Sequence, residues 1–180
     1  MIDTKALFVI PHYGFDDQQY LKIKEILEGA GIITELASTH LAEAQGMFKN
    51  LFKPEFLVQD VEAEDFDAYI FVGGVGTQEF CQNVDVQRLI VDVLLKHKTL
   101  ALVGEAVPVL FYANVLEGKN VTTLETLKGQ VEAGGAYYTG MNMEQDGSLI
   151  TGYDNRSIRE ISEAVIRTLE WDRQHKKSNF

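Results

Sequence analysis

The chain has 180 residues, 46% of them hydrophobic and 24% charged, which is the balance of a folded globular protein and enough length for one domain (residues 1–180) with a sizeable core. Its net charge of −11 repels phosphate backbones and anionic headgroups, so nucleic-acid and membrane-surface partners are not expected. No run approaches the roughly 20 apolar residues of a membrane span, no signal-peptide pattern is present, and a single cysteine, Cys81, excludes an internal disulfide.

A reducing, cytoplasmic setting is therefore expected, and the sequons at Asn120 and Asn155 carry no weight in it. Ala6–Ile10 reads as a buried strand, with Pro11–Gly14 as the loop after it. Asp16 and Asp17 stand where a helix N-terminus favours carboxylates. Leu21, Ile23, Ile26, Leu27 and Ala30 then form a helical apolar face closed by Gly29 and Gly31, and Ile32–Ala37 is a second strand. A strand–helix–strand opening implies a parallel sheet with crossover helices.

Residues 39–60 admit two readings. They form short strands at Met47–Phe52 and Phe56–Val58 around Lys53-Pro54, or a helix followed by a strand. Ala68–Val72 is a buried strand running into Gly73–Gly76, and a helix follows from about Asp85 to His97 with Val86, Leu89, Ile90, Val93 and Leu94 on one face. Thr99–Val103 is the next strand, Gly104-Glu105 the turn after it, Ala106–Ala113 a helix and Val121–Thr123 a further strand. Asp146-Gly147, between Tyr137–Met143 and Ser148–Thr151, signals a hairpin. Ser157-Ile-Arg-Glu160 is a capping-box sequence opening a final helix that carries Ile161, Val165 and Leu169. The pattern predicts a three-layer α/β/α sandwich around a mostly parallel, flavodoxin-like sheet.

Open sheets of this kind place their sites beyond the carboxyl ends of the strands. Three loops qualify: Pro11–Asp17, Gly73–Gly76 and Gly104–Ala106. Composition and spacing lead to a site between these loops and no further.

Phe15-Asp16-Asp17 after the first strand resembles the acidic motif of the ThiJ/PfpI superfamily, whose fold is that of class I glutamine amidotransferases. Phe66-Asp67 followed by an apolar strand and Gly73-Gly74 resembles its Asp-x-strand-Gly-Gly signature. Ala101-Leu-Val-Gly104-Glu105, followed by Val115-Leu-Glu-Gly-Lys-Asn-Val-Thr122, resembles its nucleophile elbow and the strand beyond. The likeness runs over roughly residues 5–170 in matching order. It implies a Gly73-Gly74 backbone N–H in an oxyanion hole, with Asp16 in the place of a glutamate that leans over a reactive thiol. It also implies homodimers, as superfamily members commonly form.

The reactive groups themselves are different here. Alignment on Val115-Leu-Glu-Gly118 sets the family's cysteine position on Gly104, the following position on Glu105, and a downstream histidine position on Leu124. A glycine has no atom to ionise or attack, and it relieves the strained backbone of an elbow. No pair of histidines has metal-ligand spacing, and no metal or cofactor is expected.

Two functional readings follow. In the first, the protein is non-catalytic, with a degenerate pocket at Gly73, Gly74 and His12 that holds a small polar metabolite, or it is a dimeric accessory protein. In the second, Glu105 and Asp16 serve as acid and base for hydrolysis, hydration or isomerisation. The plainer roles for these two carboxylates are a first-turn hydrogen bond for Glu105 and a helix cap for Asp16. The plainer role for Cys81 is a small buried residue rather than a displaced nucleophile, and for His12 a solvated loop residue. Tyr137, Tyr138, Met141 and Met143 read as core or dimer packing.

Overall fold

Alternating apolar residues build the centre of the molecule. In the computed structural model, which describes residues 3–176, β1 (Lys5–Ile10) passes through α1 (Asp17–Gly29) to β2 (Ile33–Ser38). Three two-residue strands follow, β3 (Ala44–Gln45), β4 (Leu51–Phe52) and β5 (Phe56–Leu57), and then β6 (Ala68–Phe71). The chain continues through α2 (Gln78–Cys81), α3 (Val84–Leu95), β7 (Thr99–Val103), α4 (Val109–Tyr112), β8 (Asn120–Val121) and α5 (Lys128–Ala133). It ends with β9 (Tyr137–Tyr138), β10 (Met143–Asp146), β11 (Leu149–Gly152) and α6 (Ile158–Lys176).

Seven strands pair in the order β10-β11-β7-β6-β1-β2-β5, all parallel to their neighbours except β10, which forms a hairpin with β11. The central strands β1, β6, β7 and β11 are buried on both faces, and their side chains sort by parity. Leu7, Val9, Tyr69, Phe71, Leu100 and Leu102 pack towards α3, α4 and α5. Ala6, Phe8, Ile10, Ile70, Ala101 and Val103 pack towards α1 and α6. Each large apolar side chain taken wholly out of water contributes about 1.5–3 kcal/mol, so this two-sided burial fixes the register of the sheet. The result is the expected α/β/α sandwich with a mostly parallel sheet. Among the described residues, no helix is long and apolar enough to cross a membrane.

The structure decides one open reading and departs from the sequence expectations in three places. In the ambiguous 39–60 stretch the short-strand alternative holds: β3 and β4 form a small antiparallel pair, β5 joins the edge of the main sheet beside β2, and only a 3₁₀ turn at Val58–Asp60 follows. The strand expected at Val121–Thr123 is the two-residue β8, which pairs in parallel with β9 outside the main sheet. The helix expected over Ala106–Ala113 shortens to α4 after a 3₁₀ turn at Gly104–Ala106. Pro108 has no N–H to offer the carbonyl of Gly104 four residues back, and Val107 N–H and Thr123 Oγ1 donate to that oxygen instead. The capping box at Ser157 does not form. Asp154 accepts from Arg156 N, Ser157 Oγ donates to Asp154 O, and Glu160 accepts from Asn142.

Of the two acidic residues at the start of α1, Asp16 caps the helix by accepting from Gln19 N at 2.9 Å. Asp17 has a different task. Its wholly buried carboxylate accepts from Phe48 N (3.0 Å), Asn50 N (3.2 Å) and Asn50 Nδ2 (2.8 Å), and so ties the turn between β3 and β4 to α1. Phe52 of the same hairpin packs edge-on against Phe15 and Tyr20. Asp17→Ala would remove the acceptor of the Phe48 and Asn50 amides and leave a void at a wholly buried position. A loss of about 3 kcal/mol in urea unfolding is expected, together with faster hydrogen exchange at Phe48 and Asn50.

Candidate functional site

The chain runs from β1 to β2 on one side and returns to β6 on the other, so the strand order reverses between β1 and β6. Crevices at such reversals are where open α/β sheets hold ligands. The loops after β1, β6 and β7 meet here.

The first two loops are joined by backbone hydrogen bonds, Asp16 N to Gly73 O at 2.8 Å and Gly76 N to Gly14 O at 3.0 Å. This contact is possible only without a side chain at residue 74. Gly74 has φ +113, and a Cβ there would lie 2.5 Å from Gly14 O and 2.7 Å from Asp16 N. Gly73 is crowded as well, since its Cβ would lie 2.7 Å from Glu105 Oε2.

Both N–H groups of the glycine pair have partners. Gly74 N donates to Glu105 Oε2 at 3.1 Å, and Gly73 N donates to Gln19 Oε1 at 2.6 Å. Gln19 is 2% exposed. Its Nε2 donates to Asn155 Oδ1 at 2.6 Å, and Asn155 Nδ2 donates to Asp16 Oδ2 at 3.2 Å. The two ends of this chain fix its direction. A backbone N–H requires the Gln19 oxygen, a carboxylate requires the Asn155 nitrogen, and the remaining amide groups then match each other. Asp16 and Glu105 thus meet at the same glycine pair, bridged by backbone and amide groups rather than hydrogen-bonded to one another.

Gly104 ends β7 at φ +53. A Cβ there would meet only Tyr153 O, at 3.5 Å, so the turn has room for a side chain. Its neighbour Glu105 is half-buried and is held at both ends, because its carbonyl also accepts from Thr77 Oγ1 at 2.9 Å. The downstream segment reaches the turn through Thr123, whose hydroxyl donates to Gly104 O at 2.8 Å, while Tyr138 OH donates to Thr123 O. Leu124 follows directly, ahead of a 3₁₀ turn at Glu125–Leu127.

The structure therefore brings Asp16, Gly73, Gly74, Gly104 and Glu105 together. His12 belongs to a neighbouring group. Its ring lies 4.7 Å from that of His40 and edge-on to Tyr13, and its backbone N–H donates to Glu79 Oε2. Cys81 closes α2, and burial pushes its thiol pKa up, which disfavours a thiolate. Among the described residues no group of three or more acidic, histidine or cysteine side chains is arranged to hold a metal. Tyr137 and Met141 are exposed, whereas Tyr138 and Met143 pack against the core. Sequence reasoning missed Gln19 and Asn155. Gln19 carries a weak signal, a polar residue three positions after a helix cap on the otherwise buried face of α1. Asn155 lies 136 residues away and carries none.

The DJ-1/PfpI family profile matches residues 4–168. An uncharacterised protein of Methanocaldococcus jannaschii is 27% identical over 94% of this chain and 84% of its own length. The crystal structure of a ThiJ/PfpI domain protein from Brachyspira murdochii superposes with a TM-score of 0.89 at 31% identity, covering 93% of this chain and 98% of that one. Drosophila melanogaster DJ-1beta shares the fold, with a TM-score of 0.85 at 22% identity over 93% of this chain and 91% of that one.

The two glycines differ in what a methyl group would cost. Gly104→Ala meets open space and should lose only the left-handed backbone penalty, about 1–2 kcal/mol in urea unfolding. Gly74→Ala drives a methyl into backbone and should lose distinctly more. No loss at Gly104 would show that the turn there is not held at positive φ, and a loss equal to that at Gly74 that it has no room for a side chain.

Proposed function

The chain belongs to the DJ-1/PfpI family, and we propose that its site binds a small polar metabolite without covalent catalysis. The observation that carries this reading is the hydrogen bond from Gly74 N to Glu105 Oε2. By resemblance, an N–H of this glycine pair would stabilise the oxyanion of an acyl intermediate. Here a carboxylate already occupies that donor, and Gln19 occupies the N–H beside it. A charge-assisted hydrogen bond of this kind is stronger than a neutral one, so an incoming oxyanion would have to displace it. The position that resembles the family's nucleophile is Gly104, which supplies no sulfur.

Acid–base chemistry by Asp16 and Glu105 is less well supported. Both oxygens of Asp16 accept hydrogen bonds, one from the helix it caps and one from Asn155, and the residue is 8% exposed. A group so engaged serves better as an anchor than as a proton carrier. Homodimer formation is part of the same proposal. Tyr13, Met47, Phe48 and Val75 expose apolar surface on loops around the crevice and suit burial against a second copy.

The purified protein should show no turnover of glutamine, small carbonyl compounds or peptides above buffer, and Cys81→Ser should change nothing. Turnover of any of these that Glu105→Gln abolishes would overturn the proposal and favour carboxylate chemistry.

A further inference from the structure

A depression of about 310 Å³ lies between the start of α1 and the start of α6, on the outer side of Gln19 and Asn155. Its rim carries three cations, Lys22, Arg156 and Arg159, and no carboxylate lines it. In a chain of net charge −11, a concave surface with only positive charge is out of keeping with its surroundings.

The three cations are not equivalent. Arg156 is committed to Asp154: its Nη2 lies 2.8 Å from Oδ2, its Nε donates to both carboxylate oxygens, and these hydrogen bonds, more than its charge, hold the Asp154 pKa below the usual carboxylate range. Lys22 and Arg159 are exposed, and neither forms an ion pair or side-chain hydrogen bond with a described residue. Two free cations thus face one cavity whose floor is the amide chain running to Asp16 and Gly73.

We infer that this depression is a binding site for a small anion, a carboxylate or a phosphate ester, held by Lys22 and Arg159 above the Gln19–Asn155 amide pair. Arg159 offers a planar fork of donors that matches either group, and Lys22 adds a point charge. The inference goes beyond the metabolite site proposed at Gly104 and does not depend on whether that site is catalytic. The two regions share Gln19, so an anion seated here reaches the Gly73 amide through a single side chain.

Calorimetric titration of the full chain with inorganic phosphate and with succinate, at low ionic strength, tests the inference. Saturable binding of at least one probe is expected, weakened about tenfold by Lys22→Ala or by Arg159→Ala, equivalent to about 1.4 kcal/mol each. Binding should fall further in the double variant and in 0.5 M sodium chloride, and should survive Glu105→Gln. Binding of succinate alone would assign a carboxylate ligand, and binding of phosphate alone a phosphoryl group. Failure of both probes to saturate, or affinity indifferent to both substitutions, would overturn the site. Both variants lie on exposed side chains, so folding is expected to persist. Turnover at the Gly104 site, if found, would leave these binding results unaffected.

Discussion

Two backbone hydrogen bonds, Asp16 N to Gly73 O and Gly76 N to Gly14 O, hold the loop after β1 against the loop after β6. The rest of the site depends on this closure. It sets where α1 begins, and therefore where Asp16 and Gln19 reach. It also presents the two amides of Gly73 and Gly74 side by side at the point where the strand order reverses. The constraint is steric before it is chemical, because any Cβ at residue 74 would occupy the space of Gly14 O. The buried strands below, sorted by parity onto two helical layers, give the loops a rigid base on which such a close approach can persist.

Backbone and amide donors, rather than cations, satisfy the carboxylates of Asp16, Asp17 and Glu105. Asp17 is held by the amides of Phe48 and Asn50, Asp16 by Gln19 N and Asn155, and Glu105 by Gly74 N. That arrangement is electrostatically economical in a strongly acidic chain. Amide donors stabilise negative charge without bringing a compensating positive side chain into the crevice. It also explains how Lys22, five residues after Asp17 in the chain, and Arg159 remain uncommitted at the adjacent depression.

The layers of the fold were legible in the sequence because parity and helical periodicity are local signals. Thr99–Val103 can be read from its own 5 residues and the α3 face from 12. The departures arise where a distant partner decides the outcome. Ser157 and Glu160 carry a capping-box pattern, yet Asp154 and Asn142 compete for the same groups. Val121 is β-branched and apolar, but the main sheet is already filled by β11 beside β7, so it pairs with β9 instead. At the site, Asp16, the glycine pair, Gly104 and Glu105 follow from strand ends and resemblance. The Gln19–Asn155 bridge spans 136 residues and has no sequence pattern to announce it.

The turn at Gly104 holds its form without any side chain of its own. Its carbonyl is fixed by Val107 N and Thr123 Oγ1, its amide end by a wholly buried β7, and its continuation by Pro108. None of these contacts involves an atom beyond the Cα of residue 104. The positive φ that would strain another residue costs glycine little, so the geometry is imposed by the neighbours and accepted without penalty. The contacts around residue 104 therefore do not depend on a side chain at this position. What the site does require is an acceptor for Gly74 N, because a buried, unpaired amide would be costly. Glu105 supplies that acceptor from the next residue in the chain. On the proposed reading, one substitution removes the attacking group and its neighbour occupies the charge-stabilising donor, leaving a polar crevice whose remaining use is recognition.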